Sequence, residues 1–331
     1  MAEIFYERDA DLSVLRGKTV AIIGYGNQGS AQAQNMRDSG LRVIIGSISD
    51  ESAERARGDG FPVYPIADAV HQGDVVSLLI PDEVQKMVYQ TEIREYLSSG
   101  KVLNFAHGYN LRFGFITPPT DVDVVMVAPR MIGVNVRKAF LKGSGVPAYM
   151  AIWQDASGQA EQIALAISKA IGATRAGVIK TTVAEETDLD LFTEQAVWPI
   201  IVRGMVLAYE VLVEEGFSPE MVVLELFASG EAAEIFKQMA RVGFFEQWRF
   251  HSRTSQYGTL SRAERMLPDT VKERMRSALA EIRSGAFAAE WEEEGQRGYP
   301  QLLQLKRRAS THPIIRAEEK IRGLVDFSLL E

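Results

Sequence analysis

The 331-residue chain reads as a doubly wound parallel α/β domain of the Rossmann type followed by an all-α domain. Three features carry that reading. A G-x-G-x-x-G loop, Gly24-Tyr25-Gly26-Asn27-Gln28-Gly29, follows a β-branched run and opens a small-residue helical stretch, which is the context a dinucleotide-binding turn needs. Short apolar runs then alternate with helical stretches up to about residue 180, the signature of βαβ units with helices on both sheet faces. Beyond that point long helical periodicities dominate. A chain of this length suits two cores better than one. The expected division is a dinucleotide-binding domain over 1–181 and an all-α domain over 182–331.

Taken in order, residues 19–23 (TVAII) form the first strong strand, ended by Gly24, and 28–39 the helix after it. Residues 41–45, 75–80, 102–106 and 124–128 are further apolar runs bounded by turn residues, and 146–153 is a late strand. The helical half is expected to hold helices over 183–215, 219–241, 261–285 and 314–324. Gly216-Phe217-Ser218-Pro219 stops one helix and starts the next, with Ser218 as N-cap and Pro219 in the first turn.

Composition narrows the function. Net charge is −8 with no long basic block, so nucleic acid is not the expected partner. Cysteine is absent, which removes disulfides and thiolate metal sites. The N-terminus lacks a signal-peptide pattern and no apolar run is expected to cross a bilayer, so a cytoplasmic enzyme is expected.

In the glycine loop, Gly24 permits the tight turn, Gly26 lets the backbone approach a pyrophosphate, and Gly29 lets helix and strand pack closely. The helix N-terminus then favours the anion. The choice between NADH and NADPH stays open. The second strand ends in Gly46-Ser47 with no carboxylate, and Ser47, Ser49 and Ser52 could hydrogen-bond a 2′-phosphate. Asp50 and Glu51 would repel that phosphate, or one of them could grip the ribose of NADH, and no Arg or Lys stands before Arg55. Ser, Asp and Glu here also suit a solvated helix start.

Asp190 and Glu194 are four residues apart, so one helix face carries both carboxylates. Two oxygen ligands in that arrangement suit Mg2+. A solvated acidic face is the plain alternative. His71 and His251 read as surface or packing histidines, Glu292 to Glu294 as a solvated face, and Trp248 with Phe244, Phe245 and Phe250 as core or dimer contacts.

The ordered set Gly-Tyr-Gly-x-Gln-Gly, His107-Gly108-Tyr109-Asn110, Asp121 to Pro129, Gln154 to Gly158, Asp190-Leu-Phe-Thr-Glu194-Gln195 in the helical half, and His312-Pro313 resembles the ketol-acid reductoisomerases of the short, class I type. The likeness runs from about residue 5 to about 325. It implies a Rossmann domain and a knotted helical substrate and dimerisation domain, with a homodimer, or a higher oligomer, sharing its active site across subunits. It also implies NADPH or NADH and Mg2+, used to convert acetolactate-type acids into 2,3-dihydroxy acids by alkyl migration and then hydride transfer. Residue by residue, Gly24, Gly26 and Gly29 match the cofactor loop and His107 the histidine beside the nicotinamide. Asp190 matches a carboxylate bridging two metals, Glu194 a ligand of the first, and Glu225 a ligand given to the neighbouring subunit. Ser252 matches a serine for the substrate carboxylate.

Three departures gather at the implied substrate and metal site. Arg130 replaces a family lysine, and the two cations are not interchangeable. Ser229 stands where a second glutamate is expected, a poorer Mg2+ ligand. Trp198-Pro199-Ile200 replaces a small, Gly-rich stretch. The leading expectation is therefore a reductase on a reductoisomerase frame, with His107, Arg130, Asp190 and Glu194 as catalytic candidates. Arg130, Glu194, Trp198, Ser229 and Ser252 would contact a 2-keto acid, related carbonyl or imine, and alkyl migration would be weakened or lost. A full reductoisomerase, with Glu231 or Glu234 recruited as ligand, is the first alternative. A cofactor-binding regulator without turnover is the second.

Overall fold

The structure, a computed structural model, describes residues 2–325. Nine strands form one sheet: β1 (Ile4–Phe5), β2 (Thr19–Ile23), β3 (Arg42–Gly46), β4 (Val63–Tyr64), β5 (Val75–Leu78), β6 (Val102–Phe105), β7 (Asp123–Pro129), β8 (Ala148–Gln154) and β9 (Val178–Lys180). Their order is β1-β9-β8-β7-β6-β5-β2-β3-β4. From β7 through β4 every pairing is parallel, while β7 with β8 and β1 with β9 are antiparallel. The central strands are apolar throughout because both faces are covered. In β2, Val20 and Ile22 enter one core, and Ala21 and Ile23 enter the other. The chain order reverses between β2 and β5, so the loops after these strands border the crevice where α/β sheets bind ligands. Strands β1, β4 and β9 escaped sequence reading because two or three residues give no period to detect.

Seven helices accompany the sheet among the described residues: α1 (Asn27–Asp38), α2 (Glu51–Gly58), α3 (Ile66–Gln72), α4 (Asp82–Val88), α5 (Tyr109–Arg112), α6 (Gly133–Leu141) and α7 (Ala160–Ala170). The chain divides into two compact units between Leu189 and Asp190, later than the 181/182 boundary read from the sequence. The division falls inside α8 (Val183–Phe192), because Val183, Glu186 and Thr187 are buried and Val183 belongs to a sheet core.

The second unit is helical: α9 (Trp198–Glu214), α10 (Pro219–Val223), α11 (Glu231–Val242), α12 (Arg253–Met266), α13 (Thr270–Ser284), α14 (Ala286–Gln296), α15 (Pro300–Ser310) and α16 (Ile314–Arg322). Its core joins Tyr209, Val222, Val223, Ile314, Ala317 and Ile321. Two expected α-helices are interrupted by π turns, at Thr193–Val197 and Leu224–Ala228. In each the backbone bond spans five residues: Trp198 N–H donates to the Thr193 carbonyl, and Ser229 N–H to that of Leu224 at 3.1 Å. Such turns concentrate at functional sites. Pro199 falls in the first turn after a π turn, where its missing N–H is accommodated. The expected helix over 261–285 is two helices, because Pro268 breaks it. Ser218 does occupy the N-cap of α10, but its hydroxyl donates to Glu220 at 2.7 Å and does not cap the backbone.

The stretch Val183–Glu214 is long and apolar enough to cross a membrane by length and composition alone, and 11% of its most apolar window is buried. Its apolar residues are spread through a helix interrupted by a π turn, so no unbroken apolar run announces them in the sequence.

Candidate active site

The glycine loop fits a dinucleotide pyrophosphate. Gly24 lies at φ +92°, and a Cβ there would come within 2.6 Å of Ile80, at the end of the β5 loop. A Cβ on Gly29 would lie 2.1 Å from the Gly24 carbonyl, whereas Gly26 has open space beside it. Gly26 is also the N-cap of α1 and offers no side-chain cap, so the N–H groups of the first turn are presented to an anion.

Several side chains of the loop are engaged by the scaffold. Tyr25 is buried, donates to Asp59 at 2.6 Å and packs on Phe61. Burial, then the Asp59 bond, pushes its phenol well above the usual range. Asn27 accepts from Val134 N–H at 3.2 Å, and Gln28 donates to the Met131 carbonyl at 2.8 Å. Gly133 locks the same junction, since a Cβ there would sit 1.9 Å from the Asn27 carbonyl oxygen. The phosphate loop and the loop carrying Arg130 are thus one assembly.

At the adenosine end Ser47 and Ser52 hydroxyls lie 3.3 Å apart, Ser52 donates to Asp50 at 2.7 Å, and Ser49 is exposed. Asp50 caps α2 by accepting from Ala53 N–H at 3.0 Å. The Ser52 bond, then the backbone bond, holds its carboxyl below the usual range. The loop therefore ends in a fixed anion.

His107 follows β6 and meets Asp82, which follows β5, with Nδ1 2.7 Å from Oδ2. Glu186, whose side chain is fully enclosed, accepts from Gly108 N–H at 3.0 Å and from Arg130 at 3.2 Å. Arg130 also lies over the Tyr149 ring, 5.2 Å from its centre. Gly108 is required here: a Cβ would lie 2.5 Å from the Thr187 hydroxyl oxygen. Arg130, expected to clamp a substrate carboxylate, thus spends part of its fork on Glu186. His107 and Arg130 are linked through Gly108 and Glu186. Neither Asp82 nor Glu186 was singled out in the sequence. Pro81-Asp82 after a strand beside the glycine strand was an available signal for the first. Glu186 was masked by its acidic neighbour Glu185, which made both look like an ordinary helix start.

In the helical unit Asp190 is half-buried and Glu194 exposed, with Glu194 in the first π turn. Glu225 and Ser229 are exposed, and Glu225 sits in the second π turn. Trp198 is exposed at the start of α9. Ser252 caps α12, accepting from Ser255 N–H at 3.2 Å. Of the two substitute ligands, Glu234 is engaged by Gln238 and by Lys237 at 3.0 Å, and these contacts hold its carboxyl below the usual range. Glu231, the first residue of α11, stands two positions from Ser229. The carboxylates have the donor chemistry of a hard cation site. Among the described residues, however, no three acidic or histidine side chains converge on one point.

Comparison with known proteins gives the family of the chain. Residues 14–177 match the acetohydroxy acid isomeroreductase NADPH-binding domain, and 183–327 the ketol-acid reductoisomerase C-terminal domain. The ketol-acid reductoisomerase (NADP+) of Pyrobaculum calidifontis is 48% identical over 98% of this chain and 99% of its own. That of Petrotoga mobilis is 44% identical over 99% of both. The solved NADH-preferring ketol-acid reductoisomerase from an uncultured archaeon is 41% identical, with a TM-score of 0.94 over 98% of this chain and 99% of that one. On these grounds the chain belongs to the ketol-acid reductoisomerase family.

Proposed function

We propose that the chain is a complete ketol-acid reductoisomerase, converting acetolactate to 2,3-dihydroxyisovalerate with NAD(P)H and Mg2+. The observation that carries this reading is the Arg130–Glu186 pair. The departure from lysine keeps a cation, and a buried carboxylate fixes its place. Glu231, two residues from Ser229, keeps a carboxylate near the other departure. Loss of migration is thus no longer the favoured consequence of either substitution.

In this reading the N–H groups of the first turn of α1 hold the pyrophosphate, and His107 exchanges a proton at the reacting oxygens. Arg130 orients the substrate carboxylate from the place that Glu186 gives it. Asp190 and Glu194 would hold Mg2+, with Glu225 and Glu231 supplied by a second copy of the chain. When bound, the metal supplies charge stabilisation at the substrate oxygens and the nicotinamide supplies hydride. A shared site accounts for the absence of a complete ligand cluster among the described residues of one chain. It also gives a role to the exposed apolar face of α9.

NADH is placed ahead of NADPH. The Asp50 carboxylate is held ionised at the cap of α2, and residues 47–54 contain no Lys or Arg, so a 2′-phosphate meets an anion there, with Arg55 the cation that acts on that carboxylate. The solved archaeal relative prefers NADH, whereas the Pyrobaculum and Petrotoga enzymes are named for NADP+.

The deciding experiment supplies acetolactate, Mg2+ and NADH or NADPH. Turnover on the order of 1 s−1 or faster with formation of 2,3-dihydroxyisovalerate supports the full reaction. Reduction of 3-hydroxy-2-ketoisovalerate alone would assign the chain to the reductase that has lost migration. Inertness toward both, with dinucleotide still bound, would assign it to regulation.

A further inference from the structure

We propose that Asp82 is the positioning residue of His107, fixing its proton on Nδ1 and leaving Nε2 as the ring's proton-exchanging atom. The inference rests on the reading of this site as an oxidoreductase centre. The two residues come from loops that follow neighbouring strands, β5 and β6. The carboxylate is held from both sides. Oδ2 lies 2.7 Å from His107 Nδ1, and Oδ1 accepts from Gln85 Nε2 at 3.1 Å. Gln85 also donates to the Ile80 carbonyl at 2.9 Å. Asn110, three residues after His107, donates to the Asp82 carbonyl at 3.0 Å and to Gln85 Oε1 at 3.1 Å. Gln85 and Asn110 are 4% and 1% exposed.

The amide donors and acceptors of this network are assigned by their neighbours. The Gln85 amide must place Nε2 toward Asp82 and Ile80, since both present oxygens. Its Oε1 therefore faces the Asn110 amide. An ionised carboxylate offers acceptors only, so the imidazole atom facing it is a donor. Such a partner sets which ring nitrogen is free for chemistry. A carbonyl that receives hydride must also receive a proton, and a histidine serves this only if its exchangeable nitrogen is the one aimed at the oxygen. The network is mostly enclosed, which makes its bonds stronger and the orientation firmer than an exposed pair would give.

The chain has four histidines, so uniform 15N labelling of histidine gives a spectrum that can be assigned by comparison with His107→Asn. Wild type is expected to show His107 protonated at Nδ1. Asp82→Asn, nearly isosteric, is expected to move His107 toward the ordinary Nε2-protonated mixture. It should also lower kcat for reduction of 3-hydroxy-2-ketoisovalerate by roughly 100-fold, with KM for the dinucleotide changed less than about threefold. Asp82→Glu should recover part of kcat. The pair Asp82→Asn with His107→Asn should lose little more than His107→Asn alone, because the two act as a unit. An unchanged His107 tautomer in Asp82→Asn overturns the proposal, as do losses that multiply in the double variant. Should the wild type turn over no carbonyl, the reaction assigned above fails, and the spectrum still decides the role of Asp82.

Discussion

Glu186 is an enclosed carboxylate whose charge is answered by Arg130 at 3.2 Å, so truncating the cation is more damaging than exchanging it. Arg130→Ala leaves a buried anion without this partner and should cost about 3 kcal/mol, read as a lower urea midpoint at unchanged slope. Arg130→Lys keeps the charge and should lose about 1 kcal/mol or less. Equal losses would show that packing on Tyr149 matters more than charge. At Gly133 a Cβ would sit 1.9 Å from the Asn27 carbonyl, so Gly133→Ala must displace the phosphate loop. Dinucleotide Kd, followed by fluorescence, should rise about tenfold or more, equivalent to about 1.4 kcal/mol. Asp50→Ser removes the fixed anion and should shift the kcat/KM ratio toward NADPH by roughly tenfold. No shift would remove Asp50 from cofactor choice. The three glycines of the cofactor loop were legible because their spacing is local. Asp82, Glu186 and Gly133 were not, since their partners lie 25, 56 and 106 residues away and no local pattern marks them.

Between residues and whole chain, helices behaved as their composition suggested except where the backbone ladder changes its spacing. The π turns at Thr193–Val197 and Leu224–Ala228 add a residue to a turn, which periodicity at 3.6 does not reveal. The stretches bearing the candidate metal carboxylates were therefore read correctly as helical and wrongly as regular. Because Pro199 falls where its N–H is not needed, Pro199→Ala should change the thermal midpoint by only a degree or two. A large gain would indicate strain that the turn does not relieve. Packing of α10 on α16 carries a pH dependence. Bonds from Lys320 and then Ser218 lower the Glu220 carboxyl from 4.5 to about 2. A depressed folded-state value means that the unfolded chain binds the proton first. The contribution is therefore complete above about pH 5 and lost as pH falls from there toward 2. Glu220→Gln should flatten the fall in thermal midpoint across that window and alter little at pH 8.

At the scale of the whole molecule, the lone chain leaves too much apolar helix in water. In α9, Val202 and Val211 are 60% and 55% exposed, and Met266 at the end of α12 is 72% exposed. Within the helical unit a groove of about 1000 Å3 is lined by Pro199, Ile200, Leu207, Val211, Met266 and Met275 among others. Exposed apolar surface on this scale suits a docking face, a membrane contact or a ligand groove. The heptad-free pattern of α9 hid this from the sequence, because a helix apolar on most sides reads equally as core, membrane span or contact surface. Arg203 and Glu210, 3.6 Å apart on α9, argue for a protein partner, since a lipid-facing helix would not present both charges at half exposure. The partner consistent with a site lacking ligands in one chain is a second copy. Leu207→Asp places a charge in the groove and should turn a species of twice the chain mass into one of single mass in sedimentation velocity at micromolar concentration. Dinucleotide binding should persist, because the glycine loop belongs to the other compact unit. Mg2+-dependent conversion of acetolactate should fall by at least about 100-fold if, as proposed, Glu225 and Glu231 of a second copy complete the site. A variant that stays double-mass and active would mean that this groove is not where copies of the chain join.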